Sequence, residues 1–180
     1  MKLRALHIAV CLYALTGACG SAPPAAPPLC FDFEGDADLD RLRWHCKTMY
    51  TRSREHATQG LFSLKIDFYP SEYPRFEPLF DEQDWSKYKE LCFDVYNPQN
   101  SVVTLTLRID DDITRPDFYD CYIEQVRLQP GHNSVVVELK NLIGCKTKRH
   151  LRRNAICKVL LFMSHPRQQY TFFLDHFYLA

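Results

Sequence analysis

The chain has 180 residues, 46% apolar and 13% aromatic, enough for one core of ordinary size and too few for two full domains. Its 22 basic and 22 acidic side chains cancel, so no global field draws it onto nucleic acid, and the composition excludes disorder, coiled coil and a polytopic membrane protein. Eight cysteines, with the opening segment described next, fit an oxidising compartment better than the cytosol.

Residues 1–18 read as an export signal. Lys2 and Arg4 precede an apolar stretch from Ala5 to Leu15 broken only by His7, and small residues Gly17 and Ala18 lead to Cys19. The apolar stretch is shorter than the roughly 20 residues of a membrane-spanning helix. Leu15-Thr16-Gly17-Ala18-Cys19 resembles a bacterial lipoprotein signal, although Thr16 stands where that family usually has Leu. The resemblance implies lipidation of Cys19 and a membrane-anchored protein of the periplasm or cell envelope. The alternative is ordinary cleavage near Ala18 and a soluble secreted protein. Residues 19–29 hold Pro23, Pro24, Pro27 and Pro28 among small residues, the composition of a stiff tether, so the domain is expected over 30–180.

From Phe31 onward the apolar period is two. Half-buried strands are predicted over Phe31–Phe33, Leu61–Tyr69, Leu91–Tyr96, Val103–Asp110, Tyr119–Leu128, Ser134–Leu139, Ile156–Met163 and Tyr170–Tyr178. Asn97-Pro98, the acidic run 110–112, Pro130-Gly131-His132-Asn133 and His165-Pro166 are turn-forming. About eight strands with no long amphipathic helix predict an all-β fold, a two-sheet antiparallel sandwich.

Six short segments in order carry a resemblance: Phe31-Asp32-Phe33-Glu34, the run from Ala57 to Lys65, Asp84-Trp85-Ser86-Lys87-Tyr88, the run from Phe93 to Pro98, Leu128-Gln129-Pro130-Gly131-His132-Asn133 and Phe173-Leu174-Asp175. Together they look like a carbohydrate-binding module with the galactose-binding-like jelly-roll fold. The same sandwich serves other roles, complex I assembly among them. Such modules often hold one structural calcium ion. The resemblance places its ligands at Glu34, at the carbonyl of Gly60 or Leu61, and at Asp175, an oxygen set that suits Ca²⁺. The plainer reading has Glu34 capping a turn and Asp175 pairing with a basic side chain. Where the resembled modules carry Asp-Arg-Phe ahead of the Pro-Gly turn, this chain has Asp120-Cys121-Tyr122, so no role passes to an Arg there.

Alternation puts Val103, Leu105, Leu107 and Ile109 in the core and predicts that Thr104, Thr106, Arg108 and Asp110 share the opposite face with Asp94 and Tyr96 of the preceding strand. Asp94, Tyr96, Arg108 and Asp110 are therefore the candidate sugar-binding residues, a ring to pack on a pyranose and charged groups to bind hydroxyls. Tyr69, Tyr73, Phe76 and Trp85 are candidate further platforms. A solvated face with cross-strand ion pairs is the alternative. Beyond Cys11 and Cys19, the six cysteines Cys30, Cys46, Cys92, Cys121, Cys145 and Cys157 allow one or more disulfides, or serve as buried thiols. No spacing for a zinc site is present. The basic run 146–153 offers contact with acidic polysaccharide or lipid headgroups, or is a solvated loop.

No motif of a hydrolytic nucleophile, zinc protease or phosphate loop occurs. The predicted function is a non-catalytic module binding a polysaccharide or cell-envelope glycan, with no nucleic-acid partner. One alternative is an envelope protein-interaction scaffold using a patch of Tyr69, Tyr73 and Phe76. A second is a small glycan hydrolase using Asp110 and Asp112.

Overall fold

The structure, a computed structural model, describes residues 29–111 and 120–180. The leader, Cys19 and most of the tether, as well as Asp112 and Tyr119, lie outside the described residues. Leu29, expected at the end of the tether, is 1% exposed and accepts a hydrogen bond from Leu179 N, so packing begins there.

The described strands are β1 (Cys30–Phe31), β2 (Thr48–Ser53), β3 (Ser63–Phe68), β4 (Arg75–Phe76), β5 (Glu90–Asn97), β6 (Val103–Asp110), β7 (Tyr122–Leu128), β8 (Gly131–Glu138), β9 (Lys158–Phe162) and β10 (Tyr170–Leu179), with one helical turn, α1 (Ala37–Asp40). They form two antiparallel sheets. One has the order β2-β3-β10-β5-β8, with β1 also paired to β10; the other is β4-β9-β6-β7. This is the two-sheet sandwich that the alternation predicts. β6 has the predicted bounds, and β5, β3, β8, β9 and β10 fall within a few residues of theirs. β2 and β4 are additional. β2 turns only Tyr50 and Thr48 inward, and β4 has two residues, so neither carries a periodic signal.

The inner faces meet in an aromatic core. Phe177 of β10 lies 5.4 Å from Phe93 of the same sheet, 6.4 Å from Phe31 and 5.5 Å from Phe76 of the opposite sheet, measured between ring centroids. Edge-to-face and offset contacts of this kind add to the burial energy of each ring. Val103, Leu105, Leu107 and Ile109 all face this core as predicted.

Three expectations are corrected. First, β6 pairs with β7 and β9, and β5 with β8 and β10. Asp94 and Tyr96 therefore lie on the outside of one sheet, and Arg108 and Asp110 on the outside of the other; β5 and β6, successive in the chain, are not neighbours. Second, Trp85 and Phe76 are fully buried. They fill the core and present no platform, and the proposed Tyr69, Tyr73 and Phe76 patch loses Phe76. Third, Cys30, Cys46, Cys92, Cys121 and Cys145 form no disulfide among the described residues. Cys30 and Cys92 both sit opposite Tyr178, on its two sides, about 9–10 Å apart at the spacing of sheet strands, beyond the span of a disulfide.

Phe177→Ala is expected to lower unfolding free energy by about 3–5 kcal/mol in urea titration. Leu61→Ala, at an exposed position, should change it by less than about 0.5 kcal/mol.

Candidate functional site

Part of the outer face of the six-stranded sheet, around Tyr96 and Asp94, is covered by its own chain, while Met49 and Val136 stay exposed on it. The loop after β2 folds back over it, and His56, in a left-handed conformation (φ 57°), lays its ring on Tyr96 at 3.4 Å and 8° and meets Phe173 edge-on at 4.7 Å. His132 packs its ring edge-on to Tyr96 from the neighbouring strand at 4.8 Å. One face of Tyr96 is thus already stacked. Asp94 is likewise engaged: it accepts from Thr58 Oγ1 at 2.8 Å and Ser134 Oγ at 2.6 Å.

The three residues expected around calcium do converge on this loop, but as a clamp of N–H donors. Glu34 Oε1 accepts from Leu61 N and Phe62 N, both at 2.8 Å. Asp175 Oδ2 accepts from Thr58 N at 2.6 Å and Gln59 N at 3.0 Å, and its Oδ1 from His176 N at 2.7 Å. Donor hydrogens thus occupy lone pairs on Glu34 Oε1 and on both Asp175 oxygens that a cation would draw on, and no group of three or more metal-ligating side chains is found among the described residues. The donor set in this arrangement does not fit calcium. Asp175 is brought into place by an irregularity in β10, where the register with β5 shifts between Asp175 and Tyr178 and His176 adopts φ 49°. Neither partner is a Lys or Arg, so the plainer reading of Asp175 is also replaced by a backbone clamp.

The outer face of the four-stranded sheet is different. Pairing of Arg75 with Phe162, Thr106 with Phe162, Arg108 with Leu160 and Asp110 with Lys158 places these side chains side by side across β4, β9 and β6. They form a cleft of about 470 Å³ lined by Tyr73, Arg75, Glu77, Arg108, Leu160 and Phe162, with Lys158 at one end. Tyr73 is 48% exposed and stands edge-on to Phe162 at 5.9 Å. Arg108, 9% exposed, is part of the floor and donates from Nε and Nη2 to Asp110 Oδ1 at 3.1 and 2.9 Å. Asp110 Oδ2 is buried with no hydrogen-bond donor among the described residues.

Glu77 organises the rim. Its carboxylate meets Arg43 Nε at 3.0 Å, Arg75 Nε at 3.2 Å and His45 Nε2 at 2.8 Å. Burial opposes its ionisation, but hydrogen bonds from His45 and Arg75 and the charge of Arg43 outweigh burial and hold its carboxyl below the usual range. Burial pushes the His45 imidazole down, assisted by Arg75 and Arg43 and opposed by its bond to Glu77. The imidazole is therefore neutral at pH 7 and donates Nε2–H to an ionised Glu77, so that two arginines face a single carboxylate.

Of the predicted site residues, the structure brings together Arg108 and Asp110, adds Tyr73, and leaves Asp94 and Tyr96 on the opposite side of the molecule. Sequence reasoning missed Arg75, Glu77, Lys158 and Phe162. Only Lys158 and Phe162, on a predicted strand, had a legible signal: alternation along β9 sets them on the face opposite the buried Val159 and Leu161.

The basic run 146–153 is largely exposed, but Arg149 within it is committed to internal ion pairs. Arg149 bridges Asp111, at 2.6 and 2.7 Å, and Asp120, at 3.0 Å, while Asp120 Oδ1 accepts from Lys146 N and Thr147 N. Hydrogen bonds from Thr147 and Lys146, and Arg149 beside it, bring the Asp120 carboxyl down to about 2. Burial of Asp111 works against ionisation, but Arg149 and Arg152 prevail and hold it below its usual value.

No protein-family profile matches this sequence, and no curated protein matches it. Solved structures do share its fold. A family 11 carbohydrate-binding module from Clostridium thermocellum, in complex with a β-1,3-1,4-mixed-linked tetrasaccharide, superposes with TM-score 0.64 at 13% identity over 83% of this chain and 92% of that one. An agarase gives TM-score 0.63 at 18% identity over 85% of this chain but 26% of the enzyme. A xylan-binding domain from Paenibacillus barcinonensis gives 0.57 at 13% over 88% and 97%. At these identities the likeness is one of fold, the carbohydrate-binding-module jelly roll.

Glu34→Gln is expected to lower the thermal midpoint by several degrees, as one of two clamps on the loop weakens, whereas calcium or a chelator shifts the midpoint of the parent chain by less than about 1 °C. The folded carboxyls of Asp111 and Asp120 lie below their ordinary value of 3.8. Their contribution is therefore complete above about pH 4 and lost as pH falls towards 2, which urea midpoints taken across that range should show. Arg149→Met should lower the urea midpoint at pH 7 and flatten that acid limb.

Proposed function

We propose that the domain is a non-catalytic module that binds a polysaccharide or cell-envelope glycan, and that it does so on the outer face of the four-stranded sheet. The observation that carries this reading is the cleft in which the exposed Tyr73 ring stands beside Arg108, Arg75 and Lys158 on a rigid sheet. A pyranose offers a C–H face to the ring while its hydroxyl oxygens accept from the guanidinium and ammonium groups. Because cross-strand pairing and the Glu77 network hold the side chains in place, binding leaves the backbone nearly unchanged. The carbohydrate ligands named for the similar folds support the same reading.

Bond-making chemistry is no part of it. Asp110 is committed to Arg108, and a glycosidase requires two carboxylates at a defined separation across a sugar. Export belongs to the proposal: the leader ending at Cys19 and the Pro-rich stretch after it would tether the module to a membrane of the cell envelope.

The test is affinity electrophoresis of the chain through gels containing xylan, mixed-linkage glucan, agarose and acidic polysaccharides. At least one polymer should retard it, and Tyr73→Ala should weaken that retention about tenfold, the loss of one stacked ring. Tyr96→Ala should leave it unaltered, since that ring is stacked under His56. A folded chain retarded by none of the polymers would refute the proposal.

A further inference from the structure

We propose that the polymer taken by this face is anionic, a glycan bearing carboxylates such as a polyuronate, with Lys158 as the contact to the acid group; this rests on the carbohydrate-binding reading above. A second cleft of about 620 Å³ adjoins the first and is bounded by Asp40, Arg41, Arg43, Leu79, Phe80 and Asp81, its acidic and basic side chains in balance. Glu77 and Lys158 line both. The two therefore join into one groove, with room for a run of sugar units and with Lys158 at the junction.

The charges along the groove are uneven. In the first cleft three cations, Arg75, Arg108 and Lys158, face one carboxylate, Glu77. Glu77 is already shared between Arg75, Arg43 and a neutral His45. Arg108 is held by Asp110. Lys158 lies directly opposite Asp110 in the strand register, yet its ammonium has no carboxylate within ion-pair distance among the described residues. A neutral sugar seated there would strip water from this ammonium and return only a hydroxyl oxygen. A uronate would return a carboxylate oxygen, so that both partners of the bond are charged, and would meet the surplus positive charge that Arg43 and Arg75 leave over Glu77. Tyr73 is the single well-exposed ring of the first cleft, so stacking contributes less here than charge.

The full chain would be run in affinity gels of polygalacturonate, alginate, xylan, mixed-linkage glucan and agarose, at about 20 and about 300 mM salt, a range over which screening of exposed charges becomes strong. The expected result is retention by a polyuronate in preference to the neutral polymers, weakened about tenfold at the higher salt. Lys158→Gln should weaken it by a similar factor, with an unchanged thermal midpoint. Lys140→Gln, on the exposed end of the other sheet, should have no effect. Retention by a neutral polymer as strong as by any polyuronate, insensitive to salt and to Lys158→Gln, overturns the assignment of charge while leaving carbohydrate binding intact. Retention by no polymer overturns both. Single-stranded DNA bound as tightly as the polyuronate, and equally weakened by Lys158→Gln, shows a general polyanion surface and overturns the sugar assignment.

Discussion

The buried amide of Asn97 fixes the corner on which the arrangement of this protein turns. The residue is 1% exposed at the end of β5, where the chain leaves the six-stranded sheet for the four-stranded one. Its Nδ2 donates to Ser101 O at 3.0 Å and to Leu128 O at 3.2 Å, and its Oδ1 accepts from Gln99 N at 3.0 Å. A single side chain thus ties the end of β5 to the end of β7 in the opposite sheet and satisfies backbone groups that the crossing would otherwise strand. From this corner on, alternation carries the polar side chains of β5 and β6 outward on opposite sides of the sandwich. One outer face is partly covered by the loop after β2; the other holds the groove.

The groove face combines rigidity with charge. Its floor is set by strand register, its rim by the Glu77 network, and neither relies on a flexible element. The price of such a network is desolvation of several charged groups, which their mutual pairing offsets. The pairing is incomplete on the cationic side, and this gives the groove its chemical character. Under the loop on the opposite face the same residue types are used up internally: His56, Tyr96 and Phe173 make a small outer core, and Asp94 and Asp175 anchor the loop that covers it.

Alternation made the fold legible wherever a strand was long and had one apolar side, as β6 shows from Val103 to Asp110. It was silent for β4, whose two residues place Arg75 at the site, and for β2, whose inward positions include a threonine. The site failed at a different level. Arg108 and Asp110 were recognised because one strand supplies both, two residues apart. Their supposed companions Asp94 and Tyr96 were assigned by chain adjacency, and strand order in a sandwich follows the sheet-switching connections instead. Glu77 and its cations come from segments far apart in sequence, so no local pattern announces them. The clamp shows a subtler limit: Glu34, the loop and Asp175 were correctly grouped, but nothing in residue type tells whether carboxylates face a cation or a row of amide hydrogens.

Because that clamp reads mostly the main chain, Thr58 Oγ1 apart, it is nearly blind to the side chains at Gln59 and Leu61. Leu61 and Gln59 contribute only their N–H groups to Glu34 and Asp175, so these positions are free to drift in identity over evolutionary time while the loop keeps its path. Gly60 between them is the exception. Its φ is +68°, and a Cβ there would lie 2.4 Å from Glu34 Oε1. A variable stretch with one invariant glycine is therefore the pattern of divergence that this loop permits, and it allows the covered side of the molecule to be re-lettered without disturbing the groove on the other.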